Sequence, residues 1–187
     1  VSSQTQTADA GVCQAAVTVV APAVTDNTAV ASLTNDYNGT ADASDTYPVG
    51  TTTVTWTVTD EHGNTSQCSQ DVTVTDDEDP TITCAGDQTQ TADAGEPNAA
   101  VVVNAPATGD NCGVAGIVND FNNTADASGT YPVGTTPVTW TVTDIHGNTS
   151  TCVQNITVTD EENPTISCSV SSQTQTADAG VCQAAVT

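Results

Sequence analysis

Apolar and polar residues alternate with a period of two along most of this 187-residue chain. In Thr53–Thr59, Val54, Trp56 and Val58 fall on one side of an extended backbone and the four threonines on the other. The same pattern returns at Val138, Trp140 and Val142. Further short runs are carried by Val17 and Val19, Val72 and Val74, Val101 and Val103, and Ile156 and Val158. Thr and Val favour strands, and clusters of Gly, Pro, Asn and Asp (YPVG, HGN, TDN, ADAG) punctuate the runs. No stretch carries a 3.6-residue apolar period. The pattern predicts an all-β chain of antiparallel sandwiches, each with one inward Trp as its main core aromatic.

The pattern also repeats. Residues 40–84 align with 124–168 at a shift of 84, with 35 of 45 positions identical, and Val1–Thr18 return letter for letter as Val170–Thr187. Self-similarity at a fixed period predicts a linear array of small units, each touching mainly its neighbours. The expected division is a first module at 1–79, a second at 80–163, and the start of a third, its first strand and part of the next, at 164–187. A chain that ends by restarting its own beginning reads as a segment of a longer array.

Composition narrows the function. The chain has 23 acidic residues, no Lys or Arg, and a formal charge of −23. Only 12% of its residues are charged, against roughly 25% in an ordinary domain. The anomaly is therefore the missing base rather than surplus acid. Each carboxylate must be hydrated, hydrogen-bonded, protonated or held by a metal ion. Phosphate-directed nucleic-acid binding needs Lys and Arg and is excluded, as is attraction to an anionic membrane. Adjacent modules repel, which favours extension. Seven cysteines without metal-type CxxC spacing point to disulfides and an oxidising, extracellular setting.

The motif PVGTT-VTWTVTD-HGNTS-C, followed by V-VTD and P-I-C, resembles the hyalin repeat (HYR), an immunoglobulin-like module. The resemblance covers both full modules and the start of a third. It implies tandem seven-strand sandwiches in extracellular adhesive proteins, and near-identical arrays resemble the stalks of giant bacterial surface adhesins, including those of gliding bacteria. The complete lack of Lys and Arg departs from the family pattern.

On the topology that the resemblance implies, module two has its first strand near 81–91, the second near 99–105, and a loop at 106–113. Its last two strands lie near 137–143 and 151–159, with a turn at Asp144–Ser150. Four cysteine positions are implied per module. Pro97 and Thr28 stand where two cysteines are missing. That arrangement implies Cys84–Cys152 within module two and Cys13–Cys112 across the first junction, with Cys68, Cys168 and Cys182 left over. The alternative pairing, Cys112–Cys152 with Cys68–Cys84, fits the same counts.

Acidic clusters mark both junctions: Asp76, Asp77, Glu78 and Asp79 before Pro80, and Asp160, Glu161 and Glu162 before Pro164. Calcium takes 6–8 oxygen ligands in flexible geometry, so these carboxylates, joined by Asp110, Asn111 and Asp144 from the facing loops, are the candidate metal ligands. The competing reading is a solvated linker whose charge blocks edge-to-edge pairing. His62 and His146 lie in D-x-H-G-N turns, which need no function. No nucleophile–base arrangement or phosphate-cradling loop points to an enzyme. Sequons at Asn38, Asn64, Asn122, Asn148 and Asn155 are weak signals in so Thr- and Asn-rich a chain. Outward Thr55, Thr57 and Thr59 beside Thr73 and Thr75 offer a remote ice-binding face. The leading expectation is a structural stalk of a secreted cell-surface repeat protein, its partners being neighbouring modules. The alternative is a calcium-dependent module that binds glycans or cells, for which only Tyr37, Tyr47, Tyr131 and Phe121 supply aromatic surface.

Overall fold

The computed structural model describes residues 2–167, together with Thr174, Thr176, Ala177, Ala179, Gly180 and Cys182. The expected third module therefore lies almost wholly outside the described residues, as does Cys168. Every regular element among the described residues is a strand.

Module one is built from β1 (Gln4–Thr7), β2 (Gln14–Val17), β3 (Val30–Asn35), β4 (Asp45–Pro48), β5 (Gly50–Asp60) and β6 (Thr65–Thr75). A four-stranded sheet in the order β1-β6-β5-β3 faces the two-stranded sheet β2-β4. Module two begins with β7 (Thr81–Thr83), then β8 (Gln88–Thr91), β9 (Asn98–Val101) and β10 (Ala107–Gly109), and closes with β11 (Val114–Asn119), β12 (Gly129–Pro132), β13 (Gly134–Asp144) and β14 (Thr149–Thr159). Its large sheet, β11-β13-β14-β8, and its small sheet, β12-β9, reproduce module one at a shift of 84 residues, and β7 with β10 forms an additional pair. One feature departs from the antiparallel expectation. β1 runs parallel to β6, and β8 parallel to β14. The alternation of Thr and Val carries no information on strand direction.

The alternation sets the core. Val54, Trp56, Val72 and Val74 from the large sheet meet Ala15, Val17 and Tyr47 from the small one. Val138, Trp140, Ile156 and Val158 meet Ala99, Val101 and Tyr131 in module two. Trp56 and Trp140 are 1% and 0% exposed. Each indole donates to a buried glutamine, Trp56 Nε1 to Gln70 Oε1 and Trp140 Nε1 to Gln154 Oε1, both at 3.2 Å. Those glutamines in turn donate to Gln4 Oε1 and Gln88 Oε1 at 3.1 Å, binding β1 and β8 to the sheet. A buried polar group costs little when it is fully bonded. At the corner between the small and large sheets, Gly50 and Gly134 adopt φ of 117° and 118°, a conformation that L side chains rarely take.

Tyr47 and Tyr131 pin the loop ahead of the small sheet. Their hydroxyls donate to Ala43 O at 2.6 Å and Ala127 O at 2.7 Å. Tyr37 and Phe121 stack on their rings at 4.3 and 4.2 Å. The aromatics that a glycan patch would need are thus largely spent on packing. Burial, with Tyr37 and nearby carboxylates adding to it, pushes the Tyr47 phenol up to about 12. A raised acid stabilises the fold fully below its unfolded value of 10.0, and that contribution is lost as pH rises toward the folded value. Tyr47→Phe should cost about 1 kcal/mol at neutral pH and flatten the alkaline fall in melting temperature. An equally steep fall in the variant would place the titration elsewhere.

Candidate metal centre at the module junction

The end of β6 delivers Asp76 to the head of module two. The loop after β10 and the β13–β14 turn rise to meet it, because Asp110 and Asp144 each organise their own loop through backbone donors. Asp110 Oδ1 accepts from Cys112 N at 2.8 Å and Gly113 N at 2.7 Å. Asp144 Oδ1 accepts from His146 N, Gly147 N and Asn148 N at 2.8, 2.6 and 2.8 Å, and its Oδ2 accepts from Asn148 Nδ2 at 2.7 Å. Burial pushes the Asp144 carboxyl up, but the bonds from Asn148, His146 and Gly147 outweigh it and hold the carboxyl below its usual value.

Three carboxylates converge here. Asp76, Asp110 and Asp144 each present an oxygen within 4.8 Å of the others. The Asp76 side chain is 0% exposed. Its Oδ2 lies 3.0 Å from His146 Nδ1, the one group in the cluster able to carry positive charge. Asn111 completes the ring. Its Nδ2 makes two long contacts, 3.3 Å to Val12 O and 3.4 Å to Asp76 Oδ1. Its Oδ1 is buried with no partner, the only such side-chain atom among the described residues. A half-turn of that amide would aim the oxygen at Val12 O and Asp76 Oδ1 and create an all-oxygen cluster of the kind that suits a hard cation. Asp76, Cys112 and His146 also lie close together, but Cys112 is bonded to Cys13, so no thiolate is available there.

The remaining candidates are elsewhere. Asp77, Glu78 and Asp79 are exposed, and Glu78 accepts from Gly11 N at 2.8 Å within module one. Asp160, Glu161 and Glu162 are exposed at the far end of module two, where Glu162 accepts from Gly95 N at 2.7 Å. β6 ends at Thr75, and of the acidic run only Asp76, the first residue beyond it, is carried against module two while Asp77, Glu78 and Asp79 face solvent. His146, read from the sequence as a turn residue without function, Asn148, read only as a weak sequon, and the Val12 carbonyl, not considered, all join the site. The signal available for His146 and Asn148 was their place in the same turn as Asp144. The sequon amides Asn38, Asn64, Asn122 and Asn155 donate to acceptors of their own modules, whereas Asn148 Nδ2 donates both to Asp144 Oδ2 at 2.7 Å and across the junction to Asp76 O at 3.3 Å.

Two disulfides frame the junction. Cys13 bonds Cys112 across it, with Cα atoms 4.7 Å apart, and Cys84 bonds Cys152 inside module two, with Cα atoms 5.8 Å apart. The alternative pairing is not the one formed. Cys68 and Cys182 are free and exposed.

Two β-sandwiches clasped end to end by a disulfide and an acidic seam define a tandem array of immunoglobulin-like modules. The HYR domain model matches residues 1–74 and 75–158, and the chain belongs to that family. It is similar to hyalin of Lytechinus variegatus, 30% identical over 152 residues, covering 79% of this chain and 28% of that protein. It is also similar to hyalin of Strongylocentrotus purpuratus, 33% identical over 153 residues, covering 78% and 12%. The chain therefore spans less than a third of the relatives it matches. Among solved structures, one to which the chain is similar is the protocadherin gammaB7 EC3-6 cis-dimer, with 19% identity, a TM-score of 0.33, and coverage of 70% of this chain and 40% of that one. No helix among the described residues is long and apolar enough to cross a membrane.

Proposed function

We propose that the chain is a spacer segment of a secreted, cell-surface repeat protein, the stalk of an adhesin or filament. Its modules at 1–79 and 80–163, and a third beginning at 164, hold a distal binding region away from the cell. The observation that carries this reading is the first junction, where a covalent bond and a buried carboxylate cluster fix one sandwich on the next. Disulfides and the membership of the HYR family support an extracellular place. The likeness to bacterial surface stalks rests on the repeat pattern.

Calcium is the ion that this seam suits. The donors would be the carboxylates of Asp76, Asp110 and Asp144, the Asn111 amide oxygen and the Val12 carbonyl. All are hard oxygens, and no Lys or Arg competes for them. A divalent ion there would supply charge neutralisation and lock the junction. Binding only to the folded form at a hundredfold excess over Kd should stabilise it by about 2.7 kcal/mol. The check is calorimetric melting of the whole chain with calcium and with chelator, repeated on Asp76→Asn and Asp110→Asn. The expected result is a rise in melting temperature with calcium that both substitutions abolish. Identical melting with calcium and chelator would leave Asp76 paired only with His146.

A further inference from the structure

The outward face of module two's large sheet carries no exposed charge. Its strands β8, β11, β13 and β14 hold one acidic residue, Asp144, which is buried. In a chain with a formal charge of −23 and no Lys or Arg, that is a marked gap. Asp87 and Asp120 stand just outside it, before β8 and after β11, the two edge strands, and give the face an acidic rim. The face itself is threonine interrupted by Val118, Pro137 and Val153. The two valines are 50% and 55% exposed, and the proline is exposed as well.

Module one shows the same face in a different dress. Between the hairpins at 50–75 and 134–159 the two modules differ at six positions. One lies in the turn, and one, Val72 against Ile156, points into the core. The other four share the outward side: Thr53 against Pro137, Gln67 against Thr151, Ser69 against Val153, and Asp71 against Asn155. On the neighbouring strand, Thr34 of β3 corresponds to Val118 of β11. Asp71 stands on module one's face, where it accepts from Thr53 Oγ1 at 2.7 Å. The core-facing side of the hairpin is thus almost the same in both modules. Module two's outward side lacks the carboxylate and carries apolar side chains instead.

We infer that this face docks a second copy of the chain, the same face of each meeting across a two-fold axis so that two arrays lie side by side. Charge selects the occupant. Each copy carries 23 acidic residues, so two copies meet at least cost through a surface free of carboxylates. A glycan site would call for aromatic stacking surface, and the only aromatic of these strands, Trp140, is buried in the core. Sheets also pack face to face readily, about 10 Å apart. At about 3.3 Å per residue and 4.8 Å between strands, the face offers on the order of 500 Å² on each copy. The total, about 1,000 Å², stands at the lower limit of a specific interface, against roughly 1,600 Å² for one of standard size. The pairing is therefore weak and forms at high local concentration.

The test is sedimentation equilibrium of the whole chain, its free thiols alkylated, in chelator and over a series of protein and salt concentrations. The expected result is a reversible monomer–dimer equilibrium that strengthens with salt, because the acidic rims repel. Val118→Thr, Pro137→Thr, Val153→Ser and Asn155→Asp together give module two the residues of module one. They should weaken association by about tenfold or more. Module one folds with those residues, so melting should change little. Asn155→Asp alone should weaken association in a way that salt relieves. Val102→Ser, at a 78% exposed valine that follows β9 of the small sheet, should leave it unchanged. A chain that stays monomeric throughout, a dimer indifferent to the four substitutions, or one weakened equally by Val102→Ser would each overturn the proposal. So would a monomer retained on a neutral polysaccharide, which would give the face to a glycan. Chelator takes calcium out of the measurement, so this pairing can fail while the stalk and the calcium response at the first junction stand.

Discussion

Trp140→Ala should unfold module two while leaving module one folded. The indole is 0% exposed and its Nε1–H bonds Gln154 Oε1. Truncating a buried Trp costs about 3–5 kcal/mol, and the orphaned glutamine oxygen adds about 1–3 kcal/mol. A unit of this size holds on the order of 4–13 kcal/mol in total, so the loss approaches or exceeds its reserve. The chain has two tryptophans, so in this variant the fluorescence of Trp56 alone reports on module one. Denaturant unfolding should show Trp56 keeping a midpoint near that of the parent while the β signal of module two is lost at low denaturant. Simultaneous loss of both would mean that the modules are not separate folding units. Trp140→Phe, which keeps a ring but loses the donor, should sit between the two.

Removing the junction bond should have the next largest effect. Cys13 and Cys112 are 99 residues apart, and closing a loop of that size restricts the unfolded chain by about 4.7 kcal/mol in the chain-entropy model. Cys112→Ser is therefore expected to lower the calorimetric stability of the pair by several kcal/mol and to broaden the interdomain distances seen in X-ray scattering. Cys13→Ser should do the same, and the double variant should be no worse than either single one, since all three delete one bond. Three distinct losses, or an unchanged scattering profile, would show that packing and polar contacts hold the junction unaided.

The strand plan was readable because the same two-residue alternation that writes a strand also decides its inward face. Val54, Trp56 and Val72 lie where that rule puts them. Gln70 and Gln154 obey the same period and are buried too, but an inward glutamine declares itself only once its partner, the indole, is placed. The parallel seating of β1 on β6 is a matter of strand pairing, which composition does not encode. At the junction, Asp76 through Asp79 are chemically alike, and only three-dimensional placement separates the one buried carboxylate from three exposed ones. The contact of His146 with Asp76 joins residues 70 apart in the chain. It belongs to the docking of two modules, and the pattern within either module is silent on it.

The Cys13–Cys112 bond also sets the route that tension takes. If the chain is pulled from its two ends, the shortest covalent path leaves the backbone at Cys13, crosses the disulfide, and rejoins at Cys112. The 99-residue interval between them, which contains β2–β6 and the first part of module two, lies on a slack side branch. At about 3.4 Å per residue, roughly 340 Å of contour is withheld from extension. Module one could then lose its fold under load and the tether would barely lengthen. Each bonded junction would act as a strain limiter that keeps reach constant when a sandwich fails.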